Sequence, residues 1–274
     1  MQEDIIQSVL DGKDTLALLP TGGGKSICFQ VPALCMEGIC IVVSPLIALM
    51  KDQVFQLQKR EIEAEAIYSG MSKREIDIIL DNCIYGSIKF LYVSPERLLT
   101  EIFIERAAKM KVSILAIDEA HCISQWGYDF RPPYLQIADF REKIPDAKLI
   151  ALTASATLKV QQDIQDKLRM KTAAVFMKSY ARKNLSYSVF KVEDKGRKLL
   201  EVLTNVQGSA VVYVRSRKRT EELAKWLMSN RISASYYHAG LSATERANRQ
   251  THWIDNKVRV MVATNAFGMG IDKP

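Results

Sequence analysis

Cysteine is scarce and unpatterned in this chain. Cys28, Cys35, Cys40, Cys83 and Cys122 form an odd set with no Cys-x-x-Cys pair, which argues against a disulfide framework or a cysteine zinc site and makes buried free thiols the expectation. The only histidines are His121, His238 and His252, and without matching cysteines they do not make a metal site. No apolar run approaches the roughly 20 residues a membrane-spanning helix requires. The opening MQEDIIQSVL lacks the basic then apolar layout of an export signal, so the chain is expected to work inside the cell, in the cytoplasm or nucleoid if the source is bacterial. Low-complexity segments and short-period repeats are also missing.

What remains has the balance of a globular protein, with 48% hydrophobic and 25% charged residues. A length of 274 residues favours two compact units, each with its own core. The net charge of +7 is unevenly placed. Residues 1–180 hold 21 Lys+Arg against 23 Asp+Glu (−2), and 181–274 hold 17 against 8 (+9). That asymmetry points the second unit toward a polyanion, although solvated charge without a partner would read the same way.

Short apolar runs at 16–19, 39–43, 90–93, 114–117 and 148–152 alternate with segments of helical period such as 47–57 and 160–168. Strands apolar on both faces and separated by helices predict a parallel sheet covered on both sides. The scheme repeats with strands at 185–190, 210–214, 234–237 and 258–263 and helices at 195–206, 219–229 and 243–254. The expected architecture is α/β, two tandem units at 1–180 and 181–274, with the join in the basic, weakly periodic stretch 178–184.

The first strand leads into Leu19-Pro20-Thr21-Gly22-Gly23-Gly24-Lys25-Ser26 and then a helical stretch, the context of a Walker A loop. The glycines allow backbone N–H groups to turn around phosphate oxygens, Lys25 reaches the β- and γ-phosphates, and the Ser26 hydroxyl ligates Mg²⁺. The general pattern has Gly where this chain has Leu19, and a glycine-rich structural turn is the plainer alternative. Asp118-Glu119-Ala120-His121 follows the strand 114–117, where Asp118 would hold Mg²⁺, Glu119 would activate the attacking water, and His121 would connect the γ-phosphate region to neighbouring loops. An acidic pair at a strand end is ordinarily a helix start. With the upstream loop it makes ATP hydrolysis the leading reading.

Asp118-Glu119-Ala120-His121-Cys122-Ile123-Ser124-Gln125-Trp126-Gly127, continuing to Asp129-Phe130-Arg131-Pro132, resembles the Walker B motif and aromatic-rich loop of RecQ helicases. The resemblance extends through Ser44-Pro45, Ser94-Pro95-Glu96-Arg97, Leu152-Thr153-Ala154-Ser155-Ala156-Thr157, Tyr237-His238-Ala239-Gly240-Leu241 and the run 263–274. It implies two RecA-like lobes, the second incomplete, forming an ATP- and Mg²⁺-dependent motor of helicase superfamily two. Such a motor moves 3′ to 5′ on single-stranded DNA and parts duplexes in repair and recombination. Gln2 matches the family's adenine-reading glutamine.

Trp126, Tyr128 and Phe130 offer faces for base stacking, beside Gln125 and with Arg131 as a cation; an aromatic cluster packed in a core is the alternative. The family usually has His where this chain has Tyr128. Ser44, Pro45, Ser94 and Arg97 resemble segments that grip the DNA backbone, which capped helix starts would also explain. In the second lobe Arg215 stands where Asn is common, Arg217 belongs to a motif IV-like segment, and His238 and Thr264 are expected to face DNA or the cleft between lobes. His252 reads as a surface or packing residue. The family's motif VI, with its arginine finger, lies beyond Pro274, so weak nucleotide binding and poor turnover are expected of this chain. The rival readings are another superfamily-two RNA or DNA translocase and a non-catalytic DNA-binding module.

Overall fold

A computed structural model describes residues 1–20, 22–127, 129–170, 172–179, 184–268, 271 and 273. The chain divides into two compact units, Met1–Lys183 and Asn184–Pro274.

The first unit is built on seven parallel strands: β1 (Thr15–Leu18), β2 (Ile39–Val43), β3 (Ala64–Ile67), β4 (Phe90–Val93), β5 (Val112–Ile117), β6 (Lys148–Thr153) and β7 (Ala174–Met177), ordered β3-β4-β2-β5-β6-β1-β7. Its helices are α1 (Gln2–Leu10), α2 (Ile27–Cys35), α3 (Ile47–Gln58), α4 (Lys73–Tyr85), α5 (Glu101–Ala107), α6 (Ile137–Arg141) and α7 (Leu158–Lys167). Side chains alternate along each strand, so the apolar runs feed two cores. Leu16, Leu18, Ile41, Val43, Leu91, Leu115 and Ile117 face one side, with residues of α4 to α7. Ala17, Cys40, Val42, Tyr92, Ile114, Ala116 and Ile150 face the other, with residues of α1 to α3. Each fully buried aliphatic or aromatic side chain contributes about 1.5–3 kcal/mol, which explains why the central strands carry almost no polar residue. Ser72 and Glu75 form a reciprocal cap at the head of α4, and Thr157 caps α7.

The second unit contains α8 (Lys195–Asn205), β8 (Ala210–Tyr213), α9 (Arg217–Ser229), β9 (Ala234–Tyr237), α10 (Ala243–Ile254) and β10 (Val260–Ala263), with the parallel strands ordered β8-β10-β9. Two small apolar clusters flank this sheet, one around Leu223, Leu227 and Val262 and one around Trp253, Met261 and Phe267.

Three expectations need correction. Residues 185–190 form no strand, and Leu185, Tyr187, Val189 and Phe190 are exposed, Val189 at 99%. Their alternating pattern suits a ladder, but among the described residues no neighbouring strand pairs with them, and a strand does not exist without one. Strands β3 and β7 were not expected. β3 is short and contains a glutamate, and β7 is a half-exposed edge whose residues give no clear burial period. Cys35 is exposed, unlike the other four cysteines, because it ends the solvent side of α2.

Candidate nucleotide and nucleic-acid site

In a parallel sheet every strand delivers its following loop to the same edge, so residues far apart in sequence converge there. The glycine loop follows β1, Ser44 follows β2, Ser94 follows β4, Asp118 follows β5 and Thr153 closes β6. Because β6 lies between β1 and β5, the glycine loop and the Asp118-Glu119 pair flank Thr153 from opposite sides.

Gly22 and Gly24 adopt φ of +75° and +74°, a region where a side chain is strained. A Cβ on Gly24 would also run into Gln2 Nε2. Gln2, at the start of α1, donates from Nε2 to the Gly23 carbonyl at 3.0 Å. Ser26 stands at the head of α2 without using its side chain as a cap, which leaves the hydroxyl free of that duty. A cavity of about 380 Å³ opens beside the loop, lined by Met1, Gln2, Leu19, Gly22, Gly23, Gly24 and Lys178. That volume suits a small ligand. Lys178 carries no motif signal; it arrives only because β7 pairs with β1, its N–H bonding the Leu18 carbonyl at 3.0 Å.

Asp118 is 6% exposed. Burial, with the neighbouring Glu119 charge, pushes its carboxyl up to about 6, against the opposing pull of Lys25. Glu119 moves the other way. Burial alone would raise it, but the His121 hydrogen bond and the charge of Lys25 hold it below the ordinary range. The two adjacent carboxyls are thus shifted in opposite directions, the pattern that separates roles in acid–base sites. Glu119 adopts a left-handed conformation, φ 47° and ψ 45°. His121 Nδ1 lies 3.2 Å from Glu119 Oε2 and 2.9 Å from Thr153 Oγ1, which ties the acidic turn to the end of β6. Among the described residues no cluster of three or more His, Cys, Asp or Glu side chains forms a metal cage. A buried carboxylate short of positive charge, with a serine hydroxyl uncommitted as a cap, nevertheless fits a Mg²⁺ ion that takes most of its ligands from phosphate and water.

The loop after residue 123 is anchored at its base and open at its tip. Ser124 Oγ donates to Asp163 Oδ2 on α7 at 2.5 Å, and Lys167 donates to the Ile123 carbonyl at 3.2 Å. Gln125 is exposed, and Trp126 is 64% exposed with the Lys159 ammonium 3.3 Å from its ring centroid. Phe130 is half-buried. The Arg131 guanidinium is not a free cation: Nε and Nη2 bind Asp129 Oδ2 at 3.1 and 3.0 Å, and Nη1 donates to the Pro45 carbonyl at 2.9 Å. Ser44 is buried with no hydrogen-bond partner for its hydroxyl among the described residues. Ser94 heads the 3₁₀ turn Pro95–Leu99, and Arg97 within it is half-buried. Thr21 and Tyr128 lie outside the described residues.

In the second unit His238 is buried, with Nε2 3.2 Å from Glu221 Oε1 and Nδ1 accepting from the Gly240 N–H at 3.2 Å. That pair of contacts assigns the proton to Nε2 and makes the ring a brace for its loop. Arg217 is exposed at the start of α9, close against Gly240. Arg215 and His252 are exposed, and Thr264 is half-buried where β10 ends.

A DEAD/DEAH box helicase family model matches residues 1–164, and a helicase conserved C-terminal domain model matches 194–274. The chain is 42% identical over 276 residues to "ATP-dependent DNA helicase RecQ" of Haemophilus influenzae, covering 99% of this chain and 44% of that protein. It is 42% identical over 278 residues to "Probable ATP-dependent DNA helicase RecS" of Bacillus subtilis, covering 100% and 56%. The chain therefore spans about half the length of these curated relatives. Among solved structures, the DUF1998 helicase MrfA bound to DNA and AMPPNP superposes with a TM-score of 0.75 at 18% identity, covering 99% of this chain and 42% of that one. The helicase Lhr of Mycobacterium smegmatis, bound to ssDNA and AMP-PNP, gives 0.71 at 19% identity, covering 99% and 40%. At such identity the likeness is one of fold.

Proposed function

The chain belongs to the DEAD/DEAH box helicase family, and from that premise we propose that it is the ATP-driven motor of a RecQ-type DNA helicase, moving 3′ to 5′ on single-stranded DNA and opening duplexes in repair and recombination. One observation carries this reading: at one sheet edge, the Gln2-braced glycine loop and Lys25 lie with two carboxyls of opposite ionisation behaviour.

In the mechanism we infer, backbone N–H groups of Gly22 to Gly24 and the Lys25 ammonium bind the phosphates, while Gln2 reads the adenine. Asp118 and Ser26 would hold Mg²⁺, which supplies charge neutralisation at the phosphates. Glu119, kept ionised, orients the attacking water and takes its proton. His121 fixes the Glu119 carboxylate and links it to Thr153. Trp126, Tyr128 and Phe130 stack on bases without reading them, and Ser44, Pro45, Ser94 and Arg97 lie along the backbone path. Arg131 shapes the loop through Asp129 and Pro45 rather than contacting phosphate directly. Arg217, His238 and Thr264 supply the second unit's share of the DNA surface. The solved neighbours named above, one with DNA and one with ssDNA, support nucleic acid as the partner.

The test is steady-state ATP hydrolysis with and without single-stranded DNA, on this chain and on Lys25→Ala. Slow hydrolysis that single-stranded DNA stimulates, and that falls at least about a hundredfold in the variant, is the expected result. Nucleotide binding that depends on Lys25 without hydrolysis favours the non-catalytic module. Stronger stimulation by single-stranded RNA favours an RNA translocase, and no nucleotide binding overturns the reading.

A further inference from the structure

Tyr134 has no role in the mechanism above, yet it is fully buried and its hydroxyl donates to the backbone carbonyl of Asp118 at 3.0 Å. That carbonyl belongs to the peptide joining Asp118 to Glu119. The preceding peptide is fixed by the Asp118 N–H, which donates to the Val43 carbonyl at 2.9 Å, and the N–H of the 118–119 peptide itself donates to Asp118 Oδ1 at 3.0 Å. Glu119 is left-handed, a conformation that L side chains rarely adopt and that carries backbone strain. Rotating the 118–119 peptide would release that conformation, and the Tyr134 hydroxyl, on the carbonyl end, opposes the rotation together with the Asp118 carboxyl on the N–H end.

Tyr134 is also joined rigidly to the aromatic loop. Pro132 and Pro133 separate it from Arg131, and their fixed φ angles leave little slack between the two. Arg131 is held by its own N–H to the Cys122 carbonyl at 2.8 Å and by its guanidinium to Asp129 and Pro45. A displacement of the loop that moves Arg131 is therefore passed on to the Tyr134 ring, which is fully buried in the same core cluster as Phe103, Ile137 and Phe140, where close packing leaves little slack.

We propose that Tyr134 is a positioning residue that couples the aromatic loop to the hydrolytic carboxyls, its hydroxyl setting the orientation of the Asp118–Glu119 peptide according to whether nucleic acid occupies the loop. This rests on the nucleotide and DNA reading above. The coupling is reciprocal, so it is measurable as a change in DNA affinity on nucleotide binding, without any turnover.

The experiment is fluorescence anisotropy of a labelled oligothymidylate titrated with the full chain, with and without Mg²⁺ and adenylyl imidodiphosphate. Wild type, Tyr134→Phe and Ile137→Val are compared, with thermal melting as a check on the fold. Ile137→Val loosens the same packed segment but leaves the hydroxyl in place. The expected result is a nucleotide-dependent shift of DNA affinity in wild type that Tyr134→Phe brings at least about threefold closer to unity, within the usual range of such couplings. The affinity for each ligand alone stays within about twofold, and Ile137→Val keeps the wild-type shift. An unchanged shift in Tyr134→Phe, an equal loss in Ile137→Val, or no shift in wild type overturns the proposal. Failure of the wild type to bind nucleotide at all is a different failure, because it removes the nucleotide-site reading and the coupling along with it.

Discussion

Replacing Asp118 with asparagine should make the ligand-free protein more stable while removing the carboxylate proposed to hold Mg²⁺. The carboxyl is buried and its pKa stands near 6, against an ordinary 3.8. Since the folded-state value is raised, the neutral form suits the fold, and Asp118 costs nothing well below pH 4. The penalty of the charged form grows as pH rises from about 4 to about 6 and is complete by about pH 7. A shift of about 2 units corresponds to about 3 kcal/mol. For a unit the size of Met1–Lys183, that is roughly 6–12 °C in melting temperature. The amide oxygen of the substituted side chain keeps the capacity to accept from the Glu119 N–H, so the local turn survives. Melting of wild type and Asp118→Asn in EDTA, from pH 4.5 to pH 8, separates this charge effect from general acid destabilisation, because the other carboxyls are common to both proteins. The variant should gain most of its advantage between about pH 4 and pH 6 and hold it nearly constant above about pH 7. Equal melting temperatures at pH 8, or an advantage that does not change with pH, would refute the reasoning.

Two further substitutions probe the site's two ends. Gly24→Ala introduces a Cβ at a positive φ and into the Gln2 amide, so nucleotide affinity should fall at least about tenfold, a loss of about 1.4 kcal/mol or more; isothermal titration with ATP checks this, and an unchanged affinity means that the Gln2 contact is dispensable. Lys159→Ala removes the ammonium from the Trp126 face, a contact worth about 0.5–1 kcal/mol at an exposed site. Trp126 should then stack more readily on bases, with oligothymidylate binding at high salt improving by about two- to fivefold; weaker binding at high salt would show that Lys159 contributes directly instead.

The sequence made the sheet's central strands and the loops after them readable, because β1, β2, β4 and β5 are apolar on both faces and each ends in a residue type that matters. What it concealed lay at the margins. β3 carries Glu65, and β7 is an edge with a mixed pattern, so neither declared itself, whereas 185–190 alternates well and forms no strand. Lys178 and Tyr134 were invisible as site residues for the same reason: one reaches the cavity only through the pairing of β7 with β1, and the other reaches Asp118 only through the return of the chain after two prolines. Arg131 was recognisable as a cation, but the contacts that occupy it, Asp129 nearby and the carbonyl of Pro45, depend on β2 and β5 being neighbours. Thr21 and Tyr128 remain expectations from the motifs.

The exposure of Cys35 gives the protein a natural attachment point. The other four cysteines are buried, so a maleimide dye or tether added to the unaltered chain under native conditions should settle on this one thiol. The helix α2 begins beside the glycine loop and runs back along the sheet for nine residues, about 13 Å at the usual rise, which carries Cys35 away from the sheet edge that holds the glycine loop and the Asp118–Glu119 pair. A molecule fixed to a surface through that thiol presents the working edge of this unit to solution.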